Sequence, residues 1–217
     1  MNSKGHEKMR DGGVDEVPSE LWLLLGAMAL VECVLFASDS GFAPEGLRRL
    51  ALLYGAFWPQ LLQDVTPVWQ GQQFAMFVTH AFLHGGFAHM AMNGVILLAL
   101  GKDIASRVGP GRMLIVFALS AIAGGVAYAL LSSDMAPMIG ASGAAFGFLG
   151  AWQFREARTR LRFRLTLRPV LAAMVALVVA NIALTMVMGG AIAWQAHLGG
   201  FIAGFALGPM TVGRGLR

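Results

Sequence analysis

The stretch "MIGASGAAFGFLGAW", residues 138–152, is glycine-rich and wholly apolar, with one serine near its start. It has two readings. Gly143 and Gly147 form a small-xxx-small pattern of the kind that lets helices approach closely, and taken alone the stretch reads as packing. Alternatively, something uses the hydroxyl of Ser142. The surrounding chain decides between them.

Of the 217 residues, 57% are hydrophobic and 13% charged, with a mean hydropathy of +0.65. Soluble domains carry about 25% charged residues, so the composition is that of a membrane protein. Cys33 is the one cysteine and cannot form an internal disulfide. Basic residues sit in short connections between apolar runs, which argues against nucleic-acid binding. Residues 1–20 are hydrophilic and mixed in charge and resemble neither a signal peptide nor a transit peptide.

A bilayer-crossing helix needs about 20 mostly apolar residues. Six segments qualify: 21–38, 84–101, 113–131, 139–154, 169–188 and 192–212. The expected fold is therefore an all-α, polytopic bundle of six transmembrane helices over 21–212, between an N-terminal tail (1–20) and a C-terminal tail (213–217). The connection 39–83 is too interrupted to span. Its stretch "EGLRRLALLYGAFWPQLLQDV" is amphipathic and aromatic and reads as an element lying in the interface.

Of the 16 lysines and arginines, all but Arg48 and Arg49 fall on one side of such a bundle. Lys4, Lys8 and Arg10 precede the first span, and Lys102, Arg107 and Arg112 follow the second. Arg155, Arg158, Arg160, Arg162, Arg164 and Arg168 follow the fourth, and Arg214 and Arg217 follow the sixth. The positive-inside rule then predicts cytoplasmic termini, an external 39–83 loop and, for a bacterial protein, residence in the inner membrane.

This parity makes spans two, four and six run from outside to inside, so polar residues at their starts share one depth. The starts read "HGGFAHMAMN", "GASG" and "AWQAHLGG", carrying His84, His89, Asn93, Ser142 and His197. Polar groups are costly in a bilayer and point to function by default. Span four is also short: Gly140 to Gln153 would rise only about 21 Å, against a hydrocarbon core of about 30 Å. Its helix should begin below the outer surface, reached by a non-helical segment over 132–141, with Ser142 at a helix N-terminus that faces water.

A serine hydroxyl needs a base to become a nucleophile, and His197 at the matching depth has the right chemistry. A helix start offers unpaired backbone N–H groups that can stabilise an oxyanion. His89 and Asn93, spaced i, i+4, share one helical face and could donate to the same charge. Gly140 and Gly143 would let a substrate backbone come close. A zinc protease would want His-Glu-x-x-His, which is absent. An aspartyl enzyme would want two membrane-embedded aspartates, and Asp39, Asp64, Asp103 and Asp134 all lie outside the spans. No cofactor or metal is expected.

Structural readings stand beside these. Gly200, Gly204 and Gly208 in "GGFIAGFALG" repeat every four residues, as in helix packing. His80 and His84 read as structural polar contacts where the loop enters the membrane. Glu32, inside span one, reads as a paired group in the bundle. A transporter with broken helices is disfavoured by the lack of repeat symmetry and of charge at the outer ends of the even spans.

The three polar starts together resemble the rhomboid family of intramembrane serine proteases. The family's histidine–histidine–asparagine pattern matches His84, His89 and Asn93. Its Gly-x-Ser-Gly matches Gly140 to Gly143, and its final-span Ala-His with Gly-xxx-Gly matches Ala196, His197, Gly200 and Gly204. The similarity runs over about residues 39–210. It implies a Ser142–His197 dyad without a third acid, and an oxyanion hole from the Ser142 backbone N–H, His89 and Asn93. It also implies a six-span form acting on transmembrane protein substrates in the bilayer, with a small residue before the cut bond. An inactive rhomboid-like protein that binds or chaperones membrane clients is the alternative. Many relatives carry Trp-Arg shortly before the second span, where this chain reads "QQFAMFVTH" with Ala75 and Met76. Relatives often have tyrosine four residues after the serine, where this chain has Phe146.

Overall fold

The structure, a computed structural model, describes residues 16–63, 65–133, 136–187, 189 and 192–213. Most of the expected N-terminal tail, with Lys4, Lys8 and Arg10, and the end of the C-terminal one, with Arg214 and Arg217, lie outside the described residues. The chain is all-α and polytopic. Its helices are α1 (Ser19–Asp39), α2 (Leu47–Gly55), α3 (Gln72–Thr79), α4 (Phe87–Val108), α5 (Pro110–Leu131), α6 (Ser142–Arg162), α7 (Arg168–Val187) and α8 (Trp194–Leu207). Short 3-10 turns occupy Pro59–Leu62, His80–Phe82 and Gly208–Thr211.

Among the described residues, α1, α4, α5 and α7 are long and apolar enough to cross a membrane, by length and composition. Helices α6 and α8 are not of that kind, for different reasons. The second half of α6 carries four arginines (Arg155, Arg158, Arg160 and Arg162) together with Glu156, and α8 is only 14 residues long, ending at Leu207. The expected span 192–212 breaks because Pro209 cannot continue the α-helical ladder, and the chain tightens into the Gly208–Thr211 turn instead. Helix α4 starts three residues later than the apolar run, because the Gly85–Gly86 pair precedes it and Gly86 takes φ +133°.

Close packing of α5, α6 and α8 rests on small residues. A Cβ on Gly147 would overlap the Ser120 hydroxyl, one on Gly200 the Gly143 carbonyl, and one on Gly204 the Gly147 carbonyl. With little gain from moving apolar surface between helices and lipid, close backbone approach supplies the dispersion energy that holds such helices together. The main core adds Leu21, Leu24 and Met28 from α1, Leu97 and Ile104 from α4, Val116, Phe117 and Ala121 from α5, and Ala144, Phe148 and Ala151 from α6. Helix α7 is the exception. Val170 is its one buried residue, while Leu171, Val175, Val178, Val179, Ile182 and Met186 are exposed, as suits a lipid-facing helix.

The 39–83 connection is folded rather than loose. Trp58 Nε1 donates to the Leu52 carbonyl at 2.8 Å, Gln72 Nε2 to Leu53 at 2.7 Å, and Thr79 Oγ1 to Gly55 at 2.7 Å. Met76, at one of the positions of the missing Trp-Arg pair, is fully buried in a second core with Phe57, Tyr128, Met138 and Ala196. Glu32 also finds its partner here. Arg48 of α2 donates to both Glu32 carboxylate oxygens, at 2.8 and 3.3 Å, to Asp39, and to the His84 carbonyl at 2.9 Å. The Glu32 hydrogen bond raises the Arg48 pKa above its ordinary value, so the guanidinium stays charged.

Glu32 is 1% exposed and Arg48 24%. Removing one member of a buried pair typically costs about 3–5 kcal/mol, because the other charge is left unpaired. Arg48→Ala is expected to destabilise the protein by an amount near the lower end of that range, since water still reaches Arg48. Glu32→Leu combined with Arg48→Leu should recover much of the loss. Thermal unfolding in detergent checks both; an Arg48→Ala protein as stable as wild type would contradict the assignment.

Candidate active site

Helix α5 ends at Leu131, and Ser132 is already extended (φ −84°, ψ 133°). From there to Ala141 no residue that can be described is helical. Such backbone inside a bundle needs partners for its N–H and C=O groups, and the segment finds them on other elements. Met138 and Phe57 exchange two hydrogen bonds of 2.9 Å as an isolated antiparallel bridge. Tyr128 donates its hydroxyl to the Ala136 carbonyl at 3.0 Å. Gly140 N–H donates to the His80 carbonyl at 2.9 Å, and Ala141 N–H to His84 Nε2 at 3.4 Å. Ser142 then opens α6 as its first helical residue. The two buried histidines therefore hold backbone in place: His80 with its carbonyl, His84 with its ring.

Gly140 has a steric reason to be glycine. Its φ is +113°, and a Cβ there would lie 2.7 Å from the His89 ring and 3.6 Å from Asn93 Nδ2. Gly143 faces the helix partners: a Cβ would sit 3.4 Å from the Ala196 carbonyl and 3.6 Å from Gly124 Cα, an ordinary contact distance. His89 Nδ1 accepts the Gly85 N–H at 3.4 Å, which assigns the ring proton to Nε2. Asn93 is 5% exposed, and its Nδ2 has no hydrogen-bond partner among the described residues. No protein group engages this amide donor, which is turned to the cavity it shares with His89.

His197 lies in the first turn of α8 and is 6% exposed. Its ring stacks on Phe146, with centroids 4.2 Å apart and planes 5° from parallel. The phenyl ring thus makes the stacking contact without a hydroxyl. His197 Nδ1 lies 2.7 Å from Asn181 Oδ1 on α7. One cavity of about 670 Å³ is lined by Ser142, His89, Asn93, Phe146, Asn181 and His197, so the singled-out polar residues share a single space. Within it the Ser142 hydroxyl makes no hydrogen bond to His197 among the described residues.

Sequence reasoning overlooked Asn181. The available signal was a lone amide in the apolar run 169–188, the same kind of signal that drew attention to the histidines. Arg48 stood out for its side of the bundle but not as the partner of Glu32, because in an amphipathic stretch a basic residue does not announce a buried carboxylate.

A model of the "Rhomboid domain" family matches residues 71–214, more than half of the chain. The chain belongs to the rhomboid family. Rhomboid-like protease 3 of Toxoplasma gondii is 27% identical to this rhomboid over 197 residues, covering 90% of this chain and 70% of the relative. Rhomboid protease GluP of Bacillus subtilis is 32% identical over 128 residues, 59% of this chain and 24% of its own length. Rhomboid protease GlpG of Serratia proteamaculans is 28% identical over 185 residues, 85% and 61% respectively. This rhomboid spans less than two thirds of the length of both GluP and GlpG. It is an integral, multi-pass membrane protein of a family whose named relatives include proteases.

Proposed function

We propose that this rhomboid is an intramembrane serine endopeptidase that hydrolyses peptide bonds in or next to transmembrane segments of other membrane proteins. One observation carries the reading: Ser142 at the start of α6, His197, His89 and the orphaned Asn93 amide line the same cavity inside a membrane bundle. In this mechanism His197 takes the Ser142 proton through Nε2 as Oγ attacks the scissile carbonyl. The oxyanion is met by the Ser142 N–H, His89 Nε2–H and Asn93 Nδ2–H. Asn93 Nδ2, which no protein group engages among the described residues, is then free to donate to the oxygen as charge develops. The protonated His197 returns its proton to the leaving amine, and water, activated by the same ring, hydrolyses the acyl-enzyme.

The same reading makes α6 and α8 the two remaining spans. Helix α6 would be completed at its outer end by the non-helical chain before Ser142, and α8 at its inner end by the Gly208–Thr211 turn, giving six spans with cytoplasmic termini and a cavity open to the outside. In a helix, peptide carbonyls are hydrogen-bonded and shielded, and freeing them in lipid costs several kcal/mol per group. Substrates with Gly or Pro near the outer end of their transmembrane segment supply that instability themselves. A rhomboid-like protein that only binds or chaperones clients has no use for an oriented donor beside a serine.

Ser142→Ala and His197→Ala should each reduce cleavage of a reconstituted model transmembrane substrate to background, with the protein still folded. Combining them should add little, because nucleophile and base act as a unit. Near-normal kcat in either variant would remove the dyad, and wild-type protein without cleavage would favour the client-binding alternative. For orientation, in a Cys33→Ser background, a cysteine placed at Ser40 should react with an impermeant reagent in intact cells and one placed at Thr159 should not. The opposite pattern would put the cavity on the cytoplasmic side.

A further inference from the structure

We propose that Asn181 of α7 is a positioning residue for His197, accepting the Nδ1–H and so fixing the imidazole in the tautomer that leaves Nε2 free to take the serine proton. The inference rests on the hydrolytic reading above. An amide oxygen only accepts hydrogen bonds. With Oδ1 at 2.7 Å from Nδ1, the ring proton must sit on Nδ1. Two contacts then constrain different freedoms of the ring. The Phe146 face, nearly parallel to it, sets its plane. The in-plane bond to Asn181 selects which nitrogen points away from α7 and which one carries hydrogen.

The surroundings make the amide unusual. Helix α7 presents apolar side chains almost throughout and buries only Val170. Asn181 nevertheless lines both the cavity that holds Ser142 and a second, almost wholly apolar one of about 670 Å³ between α7 and α8. Thr185 Oγ1 donates to the Asn181 backbone carbonyl at 2.8 Å, so the neighbouring hydroxyl is spent within the helix and does not compete for the ring. In soluble serine proteases the ring's outer nitrogen is held by a buried carboxylate. Here a neutral amide performs the orienting part of that role without adding a second charge to the bilayer, where one is expensive. Because α7 packs loosely, the base's orientation depends on where that helix sits.

A purely structural tie between α7 and α8 would also use this bond, and the experiment separates the two. Wild type, Ser142→Ala, Asn181→Leu and Asn181→Asp are compared in cleavage of a reconstituted transmembrane substrate and in ¹⁵N-histidine NMR, with His197 assigned from His197→Gln. Asn181→Leu is expected to lower kcat roughly 10- to 100-fold with KM little changed, less than the ~10⁴ that follows loss of a tautomer-fixing carboxylate in a soluble triad. Asn181→Asp retains an acceptor and has lost the amide donor, so it should recover most of the activity. The wild-type spectrum should show His197 protonated at Nδ1, and Asn181→Leu should show a tautomer mixture. Unchanged kcat in Asn181→Leu, an equal rise in KM and thermal lability without a kcat effect, or a wild-type His197 protonated at Nε2 would overturn the proposal. Absence of cleavage in wild type relative to Ser142→Ala would instead defeat the hydrolytic reading, and the spectra would still decide the tautomer.

Discussion

Non-helical backbone inside a membrane bundle must have every polar group satisfied, and the segment leading to Ser142 is where this chain meets that constraint. Three of its partners come from far away in sequence, Phe57, His80 and His84 from the 39–83 connection and its end, while Tyr128 reaches it from the last turn of the preceding helix, α5. The connection is therefore part of the site's foundation. Physical links run without a gap from Glu32 to Arg48, from Arg48 to the His84 carbonyl, from the His84 ring to Ala141, and so to the serine next in the chain. A buried carboxylate in α1 helps to set the position of a hydroxyl at the start of α6.

The second constraint is volume. Gly147, Gly200 and Gly204 admit no side chain because neighbouring carbonyls and the Ser120 hydroxyl occupy the space a Cβ would need. The close approach of α5, α6 and α8 brings the first turns of α6 and α8 together, and with them Phe146 and His197. Helix α7 lies outside this packed trio. The molecule thus combines a rigid seam, which carries the serine and the histidine, with a loosely packed helix that touches the histidine through one amide.

Much of this was legible in the sequence, and the parts that were not have identifiable causes. Apolar runs located α1, α4, α5 and α7 because lipid exposure demands long unbroken apolar segments. Helix ends were less visible, since Gly86 and Pro209 act through backbone conformation and hydropathy does not register them. Ser142, His197, His89 and Asn93 stood out because polar groups are rare in apolar runs, and they line one cavity. The Phe57–Met138 bridge left no trace, being one long-range pair of ordinary apolar residues whose backbones do the bonding. Gly140 drew attention as a residue that could admit substrate; its position shows a left-handed backbone and a histidine ring in the space a Cβ would take. The loss of the Trp-Arg pair left the 39–83 connection without its usual signature, and Met76 burial with the Glu32–Arg48 pair shows what holds it in this chain.

The most direct measurement is a crystal structure of the protein after reaction with a fluorophosphonate, whose tetrahedral phosphorus stands in for the carbon of the acylation intermediate. The expected result is a covalent bond to Ser142 Oγ, with the phosphonyl oxygen within hydrogen-bond distance of the Ser142 N–H, His89 Nε2 and Asn93 Nδ2, and with the Phe57–Met138 bridge intact. An adduct on another residue, or a phosphonyl oxygen turned away from His89 and Asn93 while their donors stay unpaired, would contradict it.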